Sequence, residues 1–264
     1  MLARNQLLME NTATGTDKMR AILVVAATIG VIAFNWLAAS GRLGGVDTGD
    51  ISDKYPTLVT PSGYAFSIWS LIYAGLIAFS IYQILPRNLS RFRSLRSLYI
   101  FSCALNCAWL YFWHDEQIVV CFVILLALAI TLFLINYKTR SPETLADTWA
   151  IRAPFGIYFG WVTAATAVNF VVMLKYLRVD LSPTTETGLA VALILAITAI
   201  AIAVRVKLTN YFYPLAVAWA FTAIAVKQSG QTWIVVACAV GVVACLIAGM
   251  TFVMNLRSST TRES

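Results

Sequence analysis

An aromatic helix begins within the stretch Pro61-Ser-Gly-Tyr-Ala-Phe-Ser-Ile-Trp-Ser-Leu-Ile-Tyr73, which follows a polar, acidic loop and leads into an apolar run. Proline suits the first position of a helix, because the first N–H groups of a helix have no partner within it. Large rings then recur at Tyr64, Phe66, Trp69 and Tyr73. We expect this helix to form one wall of a pocket that the remaining helices complete.

The composition is that of an integral membrane protein. Of the 264 residues, 60% are hydrophobic and 12% are charged, and the mean hydropathy is +0.78, whereas about a quarter of the residues in soluble domains are charged. A membrane-spanning helix needs about 20 mostly apolar residues. Eight such segments can be recognised: Ala21–Ala39, Tyr64–Leu85, Leu98–Trp113, Ile118–Tyr137, Phe155–Leu174, Gly188–Val204, Leu208–Val226 and Thr232–Met254. The sequence therefore predicts an all-α, polytopic membrane bundle of eight transmembrane helices.

The first apolar segment, Ala21–Ala39, could instead be a secretory signal. It is longer than the apolar core of a typical signal, and Ser40-Gly-Arg-Leu-Gly-Gly is only a weak cleavage site. We therefore expect a retained span. None of the eight segments contains Asp, Glu, Lys or Arg, and this argues against an ion pump, which would need a charged relay within the membrane.

The distribution of basic residues predicts the orientation of the bundle. If the N-terminus is cytoplasmic, only five of the 19 Lys and Arg residues lie in outer loops: Arg42, Lys54, Lys175, Arg178 and Lys227. This asymmetry is typical of positive-inside topology. We expect a bacterial inner (plasma) membrane, with the N- and C-termini cytoplasmic. The net charge of +7 comes with no nucleic-acid motif, so the expected partner is the lipid bilayer and not a nucleic acid.

The cysteines and the single histidine do not form a recognisable metal or haem site. All five cysteines lie within predicted spans, and none forms a C-x-x-C pair. Cys103 and Cys107 share a helix face that could bind a soft metal, but apolar packing is the better explanation without a nearby His or carboxylate. His114 alone cannot provide both axial ligands of a haem. We expect no metal, no bound cofactor and no catalytic residue.

A loop of about twenty residues with Asp47, Asp50 and Asp53 connects the first span to the aromatic helix. Loops of this length are uncommon unless they act as lids or binding elements. A cap over the mouth of a pocket is therefore one interpretation, and a plain solvated linker is the other.

An amide occurs in the middle of the third span, where Asn106 lies one helical turn from Trp109. An amide in hydrocarbon is costly unless it is hydrogen-bonded. A hydrogen bond between helices and a polar anchor for a ligand both explain Asn106. Aromatic belts at the membrane surface account for Trp113 and Trp233, but they do not account for Trp109, which lies deeper in its span.

The fifth span combines small residues with a ring and a second amide. Gly156 and Gly160 fit the small-xxx-small pattern that allows close approach of another helix. Ala165 lies one turn from Trp161 and leaves space beside the indole for a flat ligand. Asn169 follows one turn later.

Three motifs together resemble those of the tryptophan-rich sensory protein family (TspO/MBR), the bacterial relatives of the peripheral benzodiazepine receptor. Pro61–Tyr73 resembles the family's P-P-x-W-x-F-x-x-x-W-x-x-L-Y segment. Leu105-Asn-Cys-Ala-Trp109 is similar to the L-N-x-x-W of the third helix, and Trp161–Asn169 is similar to the W-x-x-F-A-T-x-L-N of the fifth. The resemblance covers residues 20–178.

The resemblance implies a five-helix bundle around a pocket that opens toward the first long loop. Family members bind porphyrins and, in some cases, sterols, and the family also allows a homodimer. Carried over by motif, Tyr64 and Phe66 lie at the pocket entrance. The full set of predicted ligand-binding residues is Tyr64, Phe66, Trp69, Asn106, Trp109, Tyr158, Trp161, Ala165 and Asn169.

The sequence departs from the family pattern at several positions. Tyr64 stands where tryptophan is usual, and Ala164 replaces a phenylalanine. The predicted organisation is a cytoplasmic tail (1–20), a TspO-like core (21–178), three additional transmembrane helices (188–254) without a counterpart in the five-helix family, and a second tail (255–264). The sequence favours a membrane protein that senses or carries a porphyrin-like ligand. The alternatives are an enzyme that degrades porphyrin by photo-oxidation and an uncoupled transporter.

Overall fold

The computed structural model describes residues 13–43 and 45–260, with side chains up to residue 250. Within these residues the chain is helical and contains no strand. The helices are α1 (Gly15–Ala39), α2 (Thr48–Lys54), α3 (Ile68–Ile84), α4 (Arg93–His114), α5 (Ile118–Lys138), α6 (Ala153–Tyr176), α7 (Pro183–Lys207), α8 (Phe212–Lys227) and α9 (Thr232–Thr260). A 3-10 turn at Gly63–Ser67 leads directly into α3, and a π turn at Thr148–Arg152 leads into α6.

The prediction of an all-α polytopic membrane bundle is confirmed. All of these helices except α2 coincide with the predicted spans. Among the described residues, six helical segments are long and apolar enough to cross a membrane. The other two long helices are α8, which is shorter at 16 residues, and α4, which carries Arg93 and Arg96 in its first turns.

The first five long helices form a closed ring. In this ring α1 packs on α3 and α4, α4 packs on α5, α5 packs on α6, and α6 returns to α3. The last three long helices form a second group in which α8 and α9 pack together and α7 packs on both. The second group joins the ring mainly through α8, which lies along α6 and also contacts the 3-10 turn before α3.

The start of α1 is tied to the start of α4. Thr14 and Asp17 form a capping box, in which each side chain accepts a hydrogen bond from the backbone of the other residue. The buried Asp17 carboxylate also accepts two hydrogen bonds from Arg93, at 2.7 and 2.6 Å. Residues 1–12 of the predicted N-terminal tail lie outside the described residues, and at the other end α9 continues to Thr260.

Buried hydroxyl groups connect three helices of the ring. The Thr28 hydroxyl of α1 lies 2.5 Å from the Ser80 hydroxyl of α3 and 2.5 Å from the Tyr99 hydroxyl of α4. Polar side chains in a hydrocarbon environment find partners on neighbouring helices, because lipid offers none. This hydrogen-bonded cluster holds α1, α3 and α4 in register.

Two glycines of α6 allow neighbouring segments to approach closely, as the small-xxx-small pattern predicts: Gly160 faces α8, and Gly156 faces Asn210 in the turn before α8. A Cβ atom added to Gly160 would lie 2.5 Å from the backbone oxygen of Tyr213, and one added to Gly156 would collide with the Asn210 side chain. Asn210 is held there because it donates hydrogen bonds to the Asn136 side chain of α5 at 2.8 Å and to the backbone oxygen of Arg152 at 3.0 Å.

We expect Gly160→Ala to separate α6 from α8, since the new methyl group has no room beside the backbone of Tyr213. Overpacking of this kind destabilises proteins by about 1–3 kcal/mol. Thermal unfolding in detergent should show a lower midpoint for the variant. Gly30→Ala is the matched control, because Gly30 is also helical and no heavy atom lies within 4 Å of its added Cβ. Equal midpoints for the two variants would contradict the packing argument.

Candidate functional site

A cavity of about 50 Å³ lies inside the ring, beneath the loop that connects α1 to α3. Helices α3, α4, α5, α6 and α8 and this loop all contribute to its wall. The lining residues are Thr48, Ser52, Pro61, Phe66, Trp69, Asn106, Trp109, Trp113, Leu125, Leu128, Trp161, Val162, Ala164, Ala165, Val168, Asn169, Ala220 and Ile224. These described lining residues include no carboxylate, histidine, lysine, arginine or thiol.

The indole rings of Trp69, Trp109 and Trp161 converge on this cavity from α3, α4 and α6. Phe66 meets Trp161 edge to face, with ring centroids 5.9 Å apart. Trp109 stacks on Trp113 with centroids 5.6 Å apart. These ring contacts hold neighbouring aromatic side chains in defined orientations, as edge-to-face and offset stacked pairs do in protein cores. The wall therefore combines oriented aromatic rings with aliphatic side chains.

Two of the intramembrane amides, Asn106 and Asn169, also line the cavity, and each already has a protein partner. Asn35 of α1 donates a hydrogen bond to the Asn106 side-chain oxygen at 2.7 Å. The indole N–H of Trp109 lies 3.4 Å from the Asn169 side-chain oxygen, to which it donates. Asn106 therefore makes the expected bond between helices and also lies at the cavity wall, so the two explanations offered by the sequence are compatible.

Seven of the nine residues predicted from the sequence line the cavity, and Tyr64 and Tyr158 do not. Tyr64 is 43% exposed and packs edge to face on Trp219, with ring centroids 5.4 Å apart. Tyr158 is buried behind Trp69, where the ring centroids are 5.7 Å apart. Tyr158 thus supports a residue of the wall, and Tyr64 connects the entrance of α3 to α8.

Sequence reasoning missed several lining residues. An aromatic belt explains Trp113 from the sequence, but its ring lines the cavity and its indole N–H donates to the backbone oxygen of Thr48 at 3.1 Å. Leu125 and Leu128 come from the aliphatic α5, whose uniform composition marks no buried face. Ala220 and Ile224 come from α8, and no local motif connects them to the first five spans.

The loop before α3 is a cap over the cavity and not a free linker. Residues 45–62, here called the cap loop, include α2 and contribute Thr48, Ser52 and Pro61 to the lining. An Asp47 capping box begins α2. Lys175 from the end of α6 donates to the backbone oxygen of Pro56 at 2.5 Å. The cap loop is therefore bonded to the helices beneath it.

Glu116, between α4 and α5, binds two neighbouring side chains of the cap loop. The Lys54 ammonium lies 2.6 Å from one carboxylate oxygen, and the Tyr55 hydroxyl donates to the other at 2.7 Å. The hydrogen bond from Lys54, followed by that from Tyr55, lowers the pKa of Glu116 from its ordinary value. Burial, together with the hydrogen bond to Glu116, raises the pKa of Tyr55 to about 12.

Protonation of Glu116 should loosen the cap loop. Since folding lowers the pKa of Glu116, its stabilising effect is fully present above the ordinary pKa of 4.5 and is lost as the pH falls through the lower, folded-state pKa. Glu116→Gln should produce the loosened loop at neutral pH. Hydrogen exchange of residues 47–55 measures this, with Glu143→Gln on a different loop as the control. Unchanged exchange in Glu116→Gln would argue against the anchoring role.

Comparison with known proteins identifies a family for the chain. The chain matches the family model described as TSPO-like protein over residues 21–253. Comparisons with curated proteins and with solved structures return no match. The matched region extends beyond residue 178 and includes α7, α8 and most of α9, although the motif resemblance was confined to the first five spans. Because the match covers nearly the whole chain, this protein belongs to the TSPO-like family.

Proposed function

We propose that the protein binds a flat hydrophobic ligand, such as a porphyrin, in the cavity beneath the cap loop and acts as a membrane sensor or carrier for it. The observation that supports this most directly is the convergence of Trp69, Trp109 and Trp161 on one internal space. Apolar, aromatic lining with a few well-placed polar groups is the usual composition of small-molecule sites.

Ring stacking would provide most of the affinity. Aromatic pairs contribute about 0.5–1.5 kcal/mol beyond the burial of their area, and a planar macrocycle could contact more than one indole. The side-chain oxygens of Asn106 and Asn169 already accept hydrogen bonds from protein groups. These two side chains would orient the ligand through additional hydrogen bonds. A large aromatic ligand with a few polar groups at its edges fits a site in which rings provide affinity and amides provide orientation.

The cavity is small, so binding of a large ligand requires movement of the residues around it. About 50 Å³ is much less than the roughly 300–1,000 Å³ typical of ligand pockets. A tetrapyrrole could enter only if lining side chains rotate and the cap loop shifts. Small side chains at Ala164 and Ala165 leave the α6 wall able to receive a ring face. Ligand binding should therefore be accompanied by a change in the environment of the indoles.

Trp161→Phe should weaken protoporphyrin binding by about threefold to tenfold, because the smaller ring loses stacking area. The measurement is quenching of tryptophan fluorescence during titration of purified protein in detergent. Trp233→Phe is the matched control, since Trp233 is 71% exposed and does not line the cavity.

Asn106→Ala is the second test of the same site, and it should also reduce protoporphyrin affinity. Asn35 would then lose its acceptor, so circular dichroism must first establish that the helices persist. If Trp161→Phe and Asn106→Ala both bind as tightly as the wild type, the cavity is not the porphyrin site.

The enzyme alternative places the redox chemistry on Trp161, which lines the cavity. The lining provides no acid–base pair and no nucleophile among the described residues, so binding without turnover is the favoured outcome. Illumination of the protein with protoporphyrin should therefore produce no new absorbing species beyond that seen with free protoporphyrin. A product that depends on Trp161 would favour the enzyme. Uptake of protoporphyrin into proteoliposomes that contain the protein would test the transporter alternative, and uptake above that of empty liposomes would favour it.

The proposal also includes an orientation in the membrane, a second ligand, a division of the chain and a homodimer. The excess of Lys and Arg in one set of loops favours cytoplasmic termini, which would place the cap loop on the outer side, and the resemblance to the TspO family favours a bacterial inner membrane. A sterol is a second ligand to test alongside porphyrins. Residues 21–178 would form the ligand-binding core, and residues 188–254 the three additional spans. Light scattering in detergent would test the homodimer.

A further inference from the structure

One wall of the cavity comes from α8, which lies outside the ring of five helices. Ala220 and Ile224 are four residues apart, so they share one face of α8. Their side chains are only 2% and 3% exposed, and both line the cavity together with Phe66 and Trp161. The internal space is therefore bounded by the ring on most sides and by α8 on one.

The position of α8 beside the cavity is set by direct bonds to the entrance of α3. The indole N–H of Trp219 donates to the backbone oxygen of Ala65 at 3.0 Å. The backbone N–H of Ser62 donates to the backbone oxygen of Ala223 at 3.0 Å. These two bonds lie on either side of Ala220 along α8, so the wall has a defined position relative to the aromatic helix.

The end of α8 also holds the cap loop. Lys227 pairs with Asp53 of α2 at 3.0 Å. The Gln228 side chain donates to the backbone oxygens of Thr57 and Thr60, at 3.0 and 3.3 Å. The same helix thus forms part of the cavity wall and anchors part of the cavity cover.

Helices α7 and α9 pack behind α8 and limit its movement away from the cavity. Gly241 of α9 lies so close to α8 that an added Cβ would be 2.7 Å from the Phe221 ring and 2.8 Å from the Thr198 hydroxyl of α7. Close-packed interiors of this kind do not adjust freely to added volume. The wall at Ala220 is therefore rigidly supported.

We propose that α8 is part of the ligand site and that Ala220 and Ile224 determine the width of the ligand that the site accepts. This inference rests on the proposed function and adds a specificity role for the C-terminal three-helix group. A small side chain at position 220 leaves the edge of the cavity open beside Phe66 and Trp161, and a larger one would close it.

Ala220→Phe tests the wall directly. A phenyl ring in a cavity of about 50 Å³ fills much of the space, so we expect protoporphyrin to bind about tenfold more weakly or worse. Thr222→Phe is the matched control, because Thr222 is on the same helix but exposed on its outer side. This control should bind within about twofold of the wild type.

Ile224→Ala should widen the cavity, whereas Ala220→Phe narrows it. Shortening a lining side chain should raise the affinity for the bulkier tetraphenylporphyrin relative to protoporphyrin. A variant that is merely destabilised would lose affinity for both ligands, so the ratio of the two affinities separates a specificity role from a structural one. An unchanged ratio contradicts the role of Ile224.

Ala220→Cys keeps the test valid even if Ala220→Phe does not fold, since the substitution adds only one heavy atom. N-ethylmaleimide modifies the introduced cysteine, and mass spectrometry measures this reaction above the wild-type background. Bound protoporphyrin should slow the modification by at least about fivefold. The rate for Thr222→Cys should not change. Failure of Ala220→Cys to react in the absence of porphyrin, or equal rates with and without it, would overturn the inference.

The outcomes distinguish this inference from the proposed function. If the wild type does not bind protoporphyrin, a porphyrin is not the ligand of the proposed function, and the inference, which concerns porphyrin width, is wrong with it. If the wild type binds but Ala220→Phe binds equally well, the porphyrin site stands and only the role of α8 is rejected.

Discussion

The architecture depends on one constraint, which is that a polar group within the hydrocarbon layer has to find its partner inside the protein. The described spans contain several amides and hydroxyls, and they bond between helices that are distant in sequence. Asn35 of α1 meets Asn106 of α4, and Asn136 of α5 meets Asn210 between α7 and α8. Each bond determines which segments of the bundle lie next to each other. The apolar surfaces of the helices alone would distinguish poorly between alternative neighbours.

The same constraint shapes the cavity. Trp109 and Asn169 bond to each other across the space between α4 and α6, so the most polar atoms of the wall are largely satisfied within the protein. Apart from Thr48 and Ser52 of the cap loop, the remaining surface is aromatic and aliphatic, and its described residues include no titratable group. Such a wall suits a ligand that is held by contact and stacking, and this is the basis of the proposed function.

The C-terminal group of helices packs directly on the ring. Gly160 lets α8 lie directly on α6, and Trp219 bonds to the entrance of α3. The family match also continues through this group, to residue 253. The sequence motifs predict a five-helix core with three added spans, and Ala220 and Ile224 of these added spans line the same cavity as residues of the core.

The amino-acid sequence by itself determined the membrane class, the positions of the long helices and most of the aromatic wall. It could do so because long apolar runs and recurring Trp and Asn residues are local signals. It did not reveal the contribution of Ala220 and Ile224, or the inward position of Trp113, because an alanine or an interfacial tryptophan looks the same whether it faces lipid or a cavity. Only the tertiary structure decided which face of α8 and α5 points inward, since that depends on close packing at glycines and on hydrogen bonds between distant helices.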